Sequence, residues 1–353
     1  MKRRTTREDV AVKAGVSKTT VTYVLNHRFD IAIPQSTRIR VQEAADELGY
    51  RPHAAASALR SGRTRTITAA FPIKISGFYA HVLQAFEREC NQHGFHLITT
   101  TIGHIGMQNV APDVCEVFSS LTDGVVMFDM PEPFIPHIKA QMNGDIPVVS
   151  AGIFTVDGTD MVRVDLAPAV KVAMEHLLAS NPRRIAFLGP GLASQEEFPK
   201  SFEPGGKQDV RCHLYSQFMQ HTNRPLEVIA GSPSSRSATM ASLRNHLESF
   251  GVPDAIFCFN DEIAIAANRV LREEGIPVPD KVLLIGCDGC DEGEYISPPL
   301  STIVQPVAML CSAAWNAMAE RLAHPDMPPA SSTIEAIFQS RGSSQRSSAR
   351  PQD

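Results

Sequence analysis

Beyond Gly62 the chain alternates between short apolar runs and amphipathic stretches, and this pattern restricts its fold more than any other feature. Strand-like runs occur at Thr66–Phe71, Phe95–Thr100, Gly124–Phe128, Pro147–Ala151, Arg184–Gly189, Ala255–Phe259 and Val282–Cys287. Helical stretches separate them, among them Tyr79–His93, Ala167–Ala179, Val210–His221, Ser237–Phe250 and Glu262–Glu274. Such alternation predicts parallel sheets covered by helices on both faces. Seven or more strands over roughly 270 residues require either one very wide sheet or two smaller lobes.

A separate helical region is predicted close to the N-terminus. Thr6 stands three residues ahead of Asp9, a spacing that lets a hydroxyl and a carboxylate satisfy the free amides at a helix start. Gly15 can adopt the left-handed conformation that ends this first helix, and Ser17 can cap the next one. The apolar face of the first helix consists of Val10, Ala11 and Ala14.

The second helix carries side chains that suit a DNA groove. Val21, Val24 and Leu25 fall at i, i+3 and i+4, so they are expected to point inward. The opposite face carries small polar, basic and aromatic groups, namely Lys18, Thr19, Thr22, Tyr23 and Asn26. A short helix with such a face is suited to the major groove of double-stranded DNA.

A third helix and a weakly helical segment follow. The third helix is predicted from Gln35 to Leu48 and ends at Gly49. Its inward residues are expected to be Ile39, Val41, Ala45 and Leu48. The segment Ala54–Arg60 favours a helix but has too few apolar residues to form one alone.

Charge is distributed unevenly along the 353 residues, whose formal net charge is −5. Residues 1–65 hold 13 basic and 6 acidic side chains, a net charge of +7, and the remainder carries −12. A basic N-terminal region on an acidic body directs phosphate binding to one end. The seven cysteines, an odd number, are typical of a reduced compartment, and we expect a cytoplasmic protein. No apolar run approaches the roughly 18 residues of a membrane span, so no membrane partner is expected. The charged residues at the N-terminus have no apolar stretch behind them, so we do not expect a signal peptide there.

Several short segments of the chain follow a known family pattern. Those near the N-terminus are Thr6–Ala11, Ala14–Ser17, Thr20–Asn26, Glu47–Pro52 and Ala56–Leu59. Those in the body are Phe259–Ala264, Leu284–Asp288, Ser297–Ile303 and Gln339–Ser343. In these segments the chain resembles the lactose/galactose repressor family of bacterial transcription regulators. The resemblance implies an all-α helix-turn-helix head and a two-lobed α/β body like a periplasmic binding protein, with parallel sheets and a ligand cleft between the lobes.

This resemblance sets the expected domain boundaries. Residues 1–50 are expected to form the helix-turn-helix domain, 51–65 the hinge helix and linker, and 66–343 the effector-binding and dimerisation body. Residues 344–353 are rich in Ser, Arg and Gln and are expected to form a disordered tail. The chain has no leucine heptads there, so a homodimer is expected rather than a tetramer.

The resemblance also implies which residues contact DNA. We expect Lys18, Thr19 and Tyr23 to face base edges. In a dimer on DNA, paired hinge segments would insert Leu59 from each subunit into the minor groove. The full set of expected DNA contacts is Thr6, Ser17, Lys18, Thr19, Thr20, Thr22, Tyr23, Asn26, His53, Ala56 and Leu59.

Departures from the family pattern indicate that different residues line the ligand cleft. His213 aligns with the usual cleft arginine, and Arg211, two residues earlier, could substitute for it. Gly152 falls where relatives often have an acidic residue, and Pro233 falls where they often have an aromatic wall. The segment 190–209 is an unusually long insertion, and whether it shapes the pocket stays open. The ligand therefore cannot be copied from a well-known relative.

Six residues are candidates for effector binding. Phe78 and Tyr79 follow the first strand and could stack on a sugar ring or a base, although ordinary packing is an alternative. Asn260 and Asp288 end two strands, where ligands bind in open parallel sheets. For Arg211 and His213, a solvated helix face is an equal alternative to ligand binding. Asp261, beside Asn260, is more plausible as a helix cap.

The sequence supports an enzyme less well than a DNA-binding regulator. Cys287 and Cys290 form a CxxC pair after a strand, but no second pair has zinc-ligand spacing. We expect neither a cofactor nor a metal site. The predicted function is a repressor that binds a palindromic operator and is controlled by a small polar ligand such as a sugar. The alternatives are a sugar-binding or sugar-processing protein with an incidental helical N-terminus, and a regulator without an effector.

Overall fold

The computed structural model describes residues 5–25, 31–50, 63–72, 76–102, 122–130, 146–154, 156–190, 209–232 and 235–346. The chain divides into two compact units, Met1–Arg65 and Thr66–Asp353. We call the first unit the head and the second the body. The described residues contain nine α-helices and twelve strands.

The head is a bundle of three helices, α1 (Arg7–Ala14), α2 (Lys18–Leu25) and α3 (Gln35–Glu47). Thr6 caps α1 in a reciprocal arrangement with Asp9, as predicted from their spacing. Gly15 ends α1 with φ 63°, the left-handed conformation that glycine adopts without strain. The small core is formed by Val10, Ala11, Ala14, Val21, Val24, Val41, Ala44 and Ala45.

The predicted inner face of α3 was wrong in part. Ile39 is 49% exposed, and Ala44 is buried instead. Ile39 lies two positions before the buried Val41, and two positions on an α-helix correspond to roughly opposite faces. The helical period therefore excludes Ile39 from the core face.

The body contains two six-stranded sheets. Sheet 1 has the order β11-β5-β4-β3-β1-β2, and all of its strand pairs are parallel. Its strands are β1 (Thr66–Pro72), β2 (His96–Ile102), β3 (Gly124–Phe128), β4 (Val148–Gly152), β5 (Asp160–Asp165) and β11 (Ser331–Glu335). The helices α4 (Gly77–Gln92) and α9 (Val307–Ala323) pack on this sheet. We call this assembly lobe 1.

Sheet 2 has the order β12-β10-β9-β8-β6-β7 and is parallel except for the β10–β12 pair. Its strands are β6 (Ile185–Pro190), β7 (Glu227–Gly231), β8 (Ala255–Cys258), β9 (Leu283–Asp288), β10 (Ser301–Val304) and β12 (Ile337–Gln339). Four helices accompany it, namely α5 (Ala167–Ala179), α6 (Val210–His221), α7 (Arg236–Phe250) and α8 (Asp261–Glu273). We call this assembly lobe 2.

The chain passes between the lobes three times, because β5, α9 and β11 belong to lobe 1 whereas α5, β10 and β12 belong to lobe 2. The passages lie near residues 165–167, 304–307 and 335–337. Two of them are joined by a hydrogen bond from the Ala336 amide to the Asp165 carbonyl at 3.0 Å. The two-lobed body with parallel sheets confirms the predicted fold class.

The body extends past the predicted start of the tail. Ser344 is buried, and its hydroxyl donates to Ser301 Oγ at 2.7 Å. His176 Nε2 lies 2.9 Å from the same hydroxyl, and Ser343 Oγ donates to the Leu284 carbonyl at 2.6 Å. Ser344, assigned to the tail from composition, is therefore part of the lobe 2 core, and residues 347–353 lie outside the described chain.

Candidate functional sites in the head and in the cleft

The polar face predicted for α2 forms one surface of the head. Ser17, Lys18 and Thr19 are exposed, and Tyr23 is half-buried. We call the six described residues of this surface the reading face, namely Ser17, Lys18, Thr19, Thr20, Thr22 and Tyr23. The inward side chains Val21 and Val24 are buried beneath it, so the helix is held to the head by one face and presents the other.

Local hydrogen bonds hold the start of the reading face. The Thr20 amide donates to Ser17 Oγ at 3.0 Å, which confirms Ser17 as the cap of α2. Thr22 Oγ1 donates to the Lys18 carbonyl at 2.8 Å. Lys18 Nζ lies 2.8 Å from Glu8 Oε1, and both side chains are more than half exposed. Exposed pairs of this kind are weak, so the lysine is available to another acceptor.

The remaining predicted DNA contacts fall in two groups. The Thr6 hydroxyl is engaged with Asp9 at 2.7 Å as part of the α1 cap, and it is exposed. Asn26, His53, Ala56 and Leu59 lie outside the described residues.

On the lobe 1 side of the cleft, a carboxylate follows β3. The Tyr79 hydroxyl donates to Asp129 Oδ2 at 3.0 Å, and the Ile153 amide donates to Asp129 Oδ1 at 2.7 Å. A Cβ atom on Gly152 would lie 2.0 Å from Asp129 Oδ1, and Gly152 has φ 131°. The absence of a side chain at Gly152 therefore makes room for Asp129.

Burial governs the ionisation of this pair. It raises the pKa of the Asp129 carboxyl above its ordinary value, against the hydrogen bonds from Ile153 and Tyr79 and the charge of Arg211. It also raises the pKa of Tyr79 well above its ordinary value, and the charges of Asp129 and Asp288 act in the same direction. Tyr79 therefore stays protonated and serves as a hydrogen-bond donor.

On the lobe 2 side, Arg211 is buried and fully engaged. Its Nε donates to Asp209 Oδ1 at 2.9 Å and its Nη2 donates to Asp209 Oδ2 at 2.5 Å, a bidentate pair. Its Nη1 donates to the Phe259 carbonyl at 2.8 Å. The guanidinium carbon lies 3.6 Å from the centroid of the Phe259 ring, a cation–π contact. Of the two readings for Arg211, the solvated helix face is wrong.

Asp288 ends β9 beside Gln305, which follows β10. Gln305 Nε2 donates to Asp288 Oδ1 at 3.0 Å, and both side chains are buried. Asp288 has φ 123°, a conformation that side chains other than glycine rarely adopt and that clusters at functional sites. Burial raises the pKa of Asp288 well above its ordinary value, and the nearby Arg211 charge opposes this.

The lobes approach each other at the start of α4. The Gly77 amide donates to Glu262 Oε1 in lobe 2 at 3.4 Å. Glu262 in turn accepts from Arg236 Nε at 2.6 Å. A Cβ atom on Gly77 would lie 3.1 Å from Glu292 Oε1. Two acidic side chains of lobe 2 thus face the N-terminus of a lobe 1 helix, where a negative charge is favoured.

The other predicted effector residues are placed differently. Phe78 is 4% exposed and belongs to the lobe 1 core, which favours ordinary packing. His213 is exposed, and its Nε2 lies 2.9 Å from Gln217 Nε2, so it does not join Arg211. Asn260 is buried, and its Oδ1 accepts from the Ile263 amide at 3.0 Å as the cap of α8.

Asp261 is not the helix cap that we predicted. Asn260 caps α8, and Asp261 is its first residue. The Asp261 carboxylate accepts from Thr302 Oγ1 and from the Cys290 amide, each at 2.7 Å. Burial raises the pKa of Asp261 to about 6, against these hydrogen bonds. Asp261 thus ties α8 to β10 and to the loop after β9.

The CxxC pair has none of the properties of a redox or metal site. Cys287 and Cys290 are buried free thiols. Burial raises the pKa of both, so neither is a ready thiolate. Within the described ranges, no group of three His, Cys, Asp or Glu side chains could hold a metal ion. No helix in those ranges is long and apolar enough to cross a membrane.

Three residues of the cleft were missed in the sequence. Asp129 directly follows β3, and Gln305 directly follows β10. Asn260 and Asp288 were identified from similar positions at the ends of strands. That signal could have found Asp129 and Gln305. Asp209 lies at the end of the long insertion and caps α6 through the Arg211 amide, so only its capping position was visible in the sequence.

Comparisons with known proteins agree with this architecture. Residues 6–53 match the family described as bacterial regulatory proteins, lacI family. Residues 174–344 match the periplasmic binding protein-like domain. The chain therefore carries a lacI-family head and a periplasmic binding protein-like body. It is a DNA-binding transcriptional regulator whose body is of a ligand-binding type.

Similar proteins cover nearly the whole chain. The HTH-type transcriptional repressor PurR of Vibrio campbellii is 29% identical over 324 residues, which covers 90% of this chain and 92% of the relative. The HTH-type transcriptional repressor CytR of Escherichia coli K12 is 27% identical over 308 residues, 85% of either chain. These relatives are repressors rather than enzymes.

Two solved structures share the fold. The Lac repressor dimer bound to operator and the anti-inducer ONPF has a TM-score of 0.77 at 18% identity, covering 98% of this chain and all of that one. A complex of the transcriptional regulator CelR with cellobiose has a TM-score of 0.65 at 22% identity, covering 96% of this chain and all of that one.

Proposed function

We propose that the protein is a cytoplasmic repressor that binds a palindromic operator as a homodimer and is controlled by a small polar ligand in the body cleft. The observation that carries the proposal is the pairing of an exposed polar helix in a lacI-family head with a cleft that buries Asp129, Arg211 and Asp288. The relatives named as repressors support the direction of the effect, and the Lac repressor dimer on its operator supports binding by two copies.

The reading face supplies the proposed sequence readout. Lys18 donates to guanine, Thr19 offers a hydroxyl and a methyl, and Tyr23 reaches a base edge or a phosphate. Asn26, His53, Ala56 and Leu59 complete the proposed contacts, with Leu59 as a minor-groove wedge. We expect Leu59→Ala to weaken specific binding far more than nonspecific binding. Equal losses would contradict wedge insertion.

The cleft supplies the proposed switch. Ligand binding closes the two lobes and changes the spacing of the two hinge segments in the dimer. An effector shifts this equilibrium only by its different affinity for the two states. Asp288 and Arg211, from lobe 2, and Tyr79 with Asp129, from lobe 1, are the groups that would distinguish an open from a closed cleft.

The deciding experiment selects the sequences that the full chain binds from a random DNA pool. The affinity of the full chain for the selected sequence is then measured by fluorescence anisotropy. We expect a palindromic site bound by two chains, with affinity that falls steeply as salt rises. A chain lacking residues 1–62 should lose this binding and keep ligand binding. Recovery of no preferred sequence would contradict the regulator and favour a sugar-binding protein.

A regulator without an effector is the second candidate, because Arg211 and Asp209 satisfy each other within the cleft, as do Tyr79 and Asp129. A thermal-shift screen separates the two, since a bound ligand raises the apparent stability. Asp288→Ala should leave operator binding intact and abolish the ligand response. A normal response in this variant would contradict our assignment of the cleft.

A further inference from the structure

The donor atoms of Arg211, Tyr79 and Gln305 each make at least one hydrogen bond within the protein. The Arg211 guanidinium donates from Nε and Nη2 to Asp209 and from Nη1 to the Phe259 carbonyl. The Tyr79 hydroxyl donates to Asp129, and the Gln305 amide donates to Asp288. Among the described residues, the best-placed donors of this cluster are therefore already used, and a ligand would find mainly the second N–H groups of Arg211 and Gln305.

Acceptors remain beside these donors. Gln305 Oε1 is buried and has no hydrogen-bond partner among the described residues. Asp288 receives the Gln305 bond at Oδ1, and an ionised carboxylate accepts about four bonds. Asp129 receives one bond at each oxygen and retains further lone pairs. A buried acceptor without a partner is unfavourable, so a donor from a ligand is favoured here.

Carboxyl groups also outnumber cations in this cluster, as far as the described residues show. The charge of Asp209 acts on Asp129, that of Asp129 acts on Asp288, and Arg211 is the cation that acts on both. The bidentate ion pair with Asp209 largely neutralises the positive charge of Arg211. Because burial raises the pKa of Asp129 and Asp288, an anionic ligand would disfavour their ionised forms further. A positive group would instead favour the ionised forms and could pair with both carboxylates.

We infer that the cleft takes a ligand that is rich in hydrogen-bond donors and carries no negative charge, and that a protonated amine on this ligand strengthens binding. The inference rests on the proposed function, because it assumes that the effector binds in this cleft. Neutral polyols and N–H-rich nucleobases meet the requirement, and amine-bearing polyols meet it best. Sugar acids and sugar phosphates do not.

The test uses matched probes on the full chain. Galactose is compared with galactosamine and galacturonic acid, glucose with glucosamine and glucose 6-phosphate, and adenosine with its 5′-monophosphate. Melting temperatures identify the series that bind, and calorimetric titration gives the Kd values. In a series that binds, we expect the amine to bind at least as tightly as the neutral member and the anion at least about tenfold more weakly. An anion that binds as tightly as its neutral counterpart overturns the inference, as does a panel without any shift.

Substitutions in the cleft test which carboxylates cause the preference for an amine. Asp288→Asn should reduce the ratio of amine to neutral affinity by about tenfold, because it removes one charge and keeps the shape. Asp129→Asn is an independent second variant, and Asp326→Asn, at an exposed carboxylate, is the matched control. An unchanged ratio in both cleft variants overturns the inference. Failure of the unmodified chain to select a DNA sequence would contradict the proposed function and not this preference.

Discussion

In the head, the polar side chains of the reading face bond to near neighbours in the sequence, whereas several polar side chains of the cleft also bond to residues about fifty positions away. Ser17 contacts Thr20, and Lys18 contacts a residue on the preceding helix. In the cleft, Asp129 is bound by Tyr79, fifty positions away. Arg211 is bound by the Phe259 carbonyl, which is 48 positions away.

This difference separates two effects of substitution. A side chain that is exposed and weakly bonded can be changed with little loss of folding free energy, so its contribution to DNA binding is measured directly. A buried charge holds part of the fold together, so its removal changes stability and ligand binding at once. The comparison therefore predicts a graded series of effects, from the centre of the cleft to the reading face.

The largest loss of stability is expected for Arg211→Ala. The change leaves Asp209 without its cation and removes the contact with Phe259, and breaking a buried pair costs about 3–5 kcal/mol. Urea unfolding measures the difference. Arg269→Ala is the matched control, because Arg269 is exposed and pairs with Glu273 on the same helix. A similar loss in both variants would remove the distinction between buried and exposed pairs.

Gly152→Ala should come next, with a loss of about 2–4 kcal/mol. Its Cβ would overlap Asp129 Oδ1, and its positive φ adds strain of about 1–2 kcal/mol. Gly158→Ala separates these causes, because Gly158 also has positive φ but nothing lies within 4 Å of its Cβ. Chemical unfolding of both variants should show a clearly larger loss at Gly152. Equal losses would mean that Asp129 moves aside freely.

Stability should fall by about 2–3 kcal/mol as pH rises from 4 to 7, through the ionisation of Asp261. Its pKa is about 6 in the folded protein and close to 3.8 when unfolded. The favourable contribution is therefore complete below about pH 4 and is lost as pH passes through 6. Unfolding midpoints of the wild type and Asp261→Asn across this range should diverge. Parallel curves would place the folded pKa near its ordinary value.

Lys18→Ala should have the smallest effect on stability, with no measurable change in the unfolding midpoint. It should nevertheless relax base preference at particular operator positions by about 1–3 kcal/mol, because a lost base contact affects only the bases that it reads. Lys13→Ala, at an α1 side chain paired with Glu47, is the control. Uniform weakening over all sequences would make Lys18 a phosphate contact instead.

The same contrast explains what the sequence could predict. The caps Thr6 and Ser17 and the Gly15 turn depend on neighbours within three residues, so spacing alone was sufficient. Asp288 was found because parallel strands place their ends at a common edge. Asp129 has the same strand-end position and could have been found in this way, but its bond to Tyr79 and the room provided by Gly152 depend on the sheet that brings them together. The strands β10 and β11 are short and rich in Ser and Thr, so hydrophobic periodicity gave no signal for them.

The three passages between the lobes define an axis, and Asp288 and Gln305 lie close to one of them because Gln305 directly precedes the crossing to α9. Atoms near an axis of rotation travel least when two rigid bodies turn about it. A ligand bound to Asp288 and Gln305 would therefore keep its contacts with lobe 2 at any degree of opening. Tyr79 and Asp129 would move with lobe 1 and contact the ligand only when the lobes are closed. The residence time of the ligand would therefore depend on lobe 1.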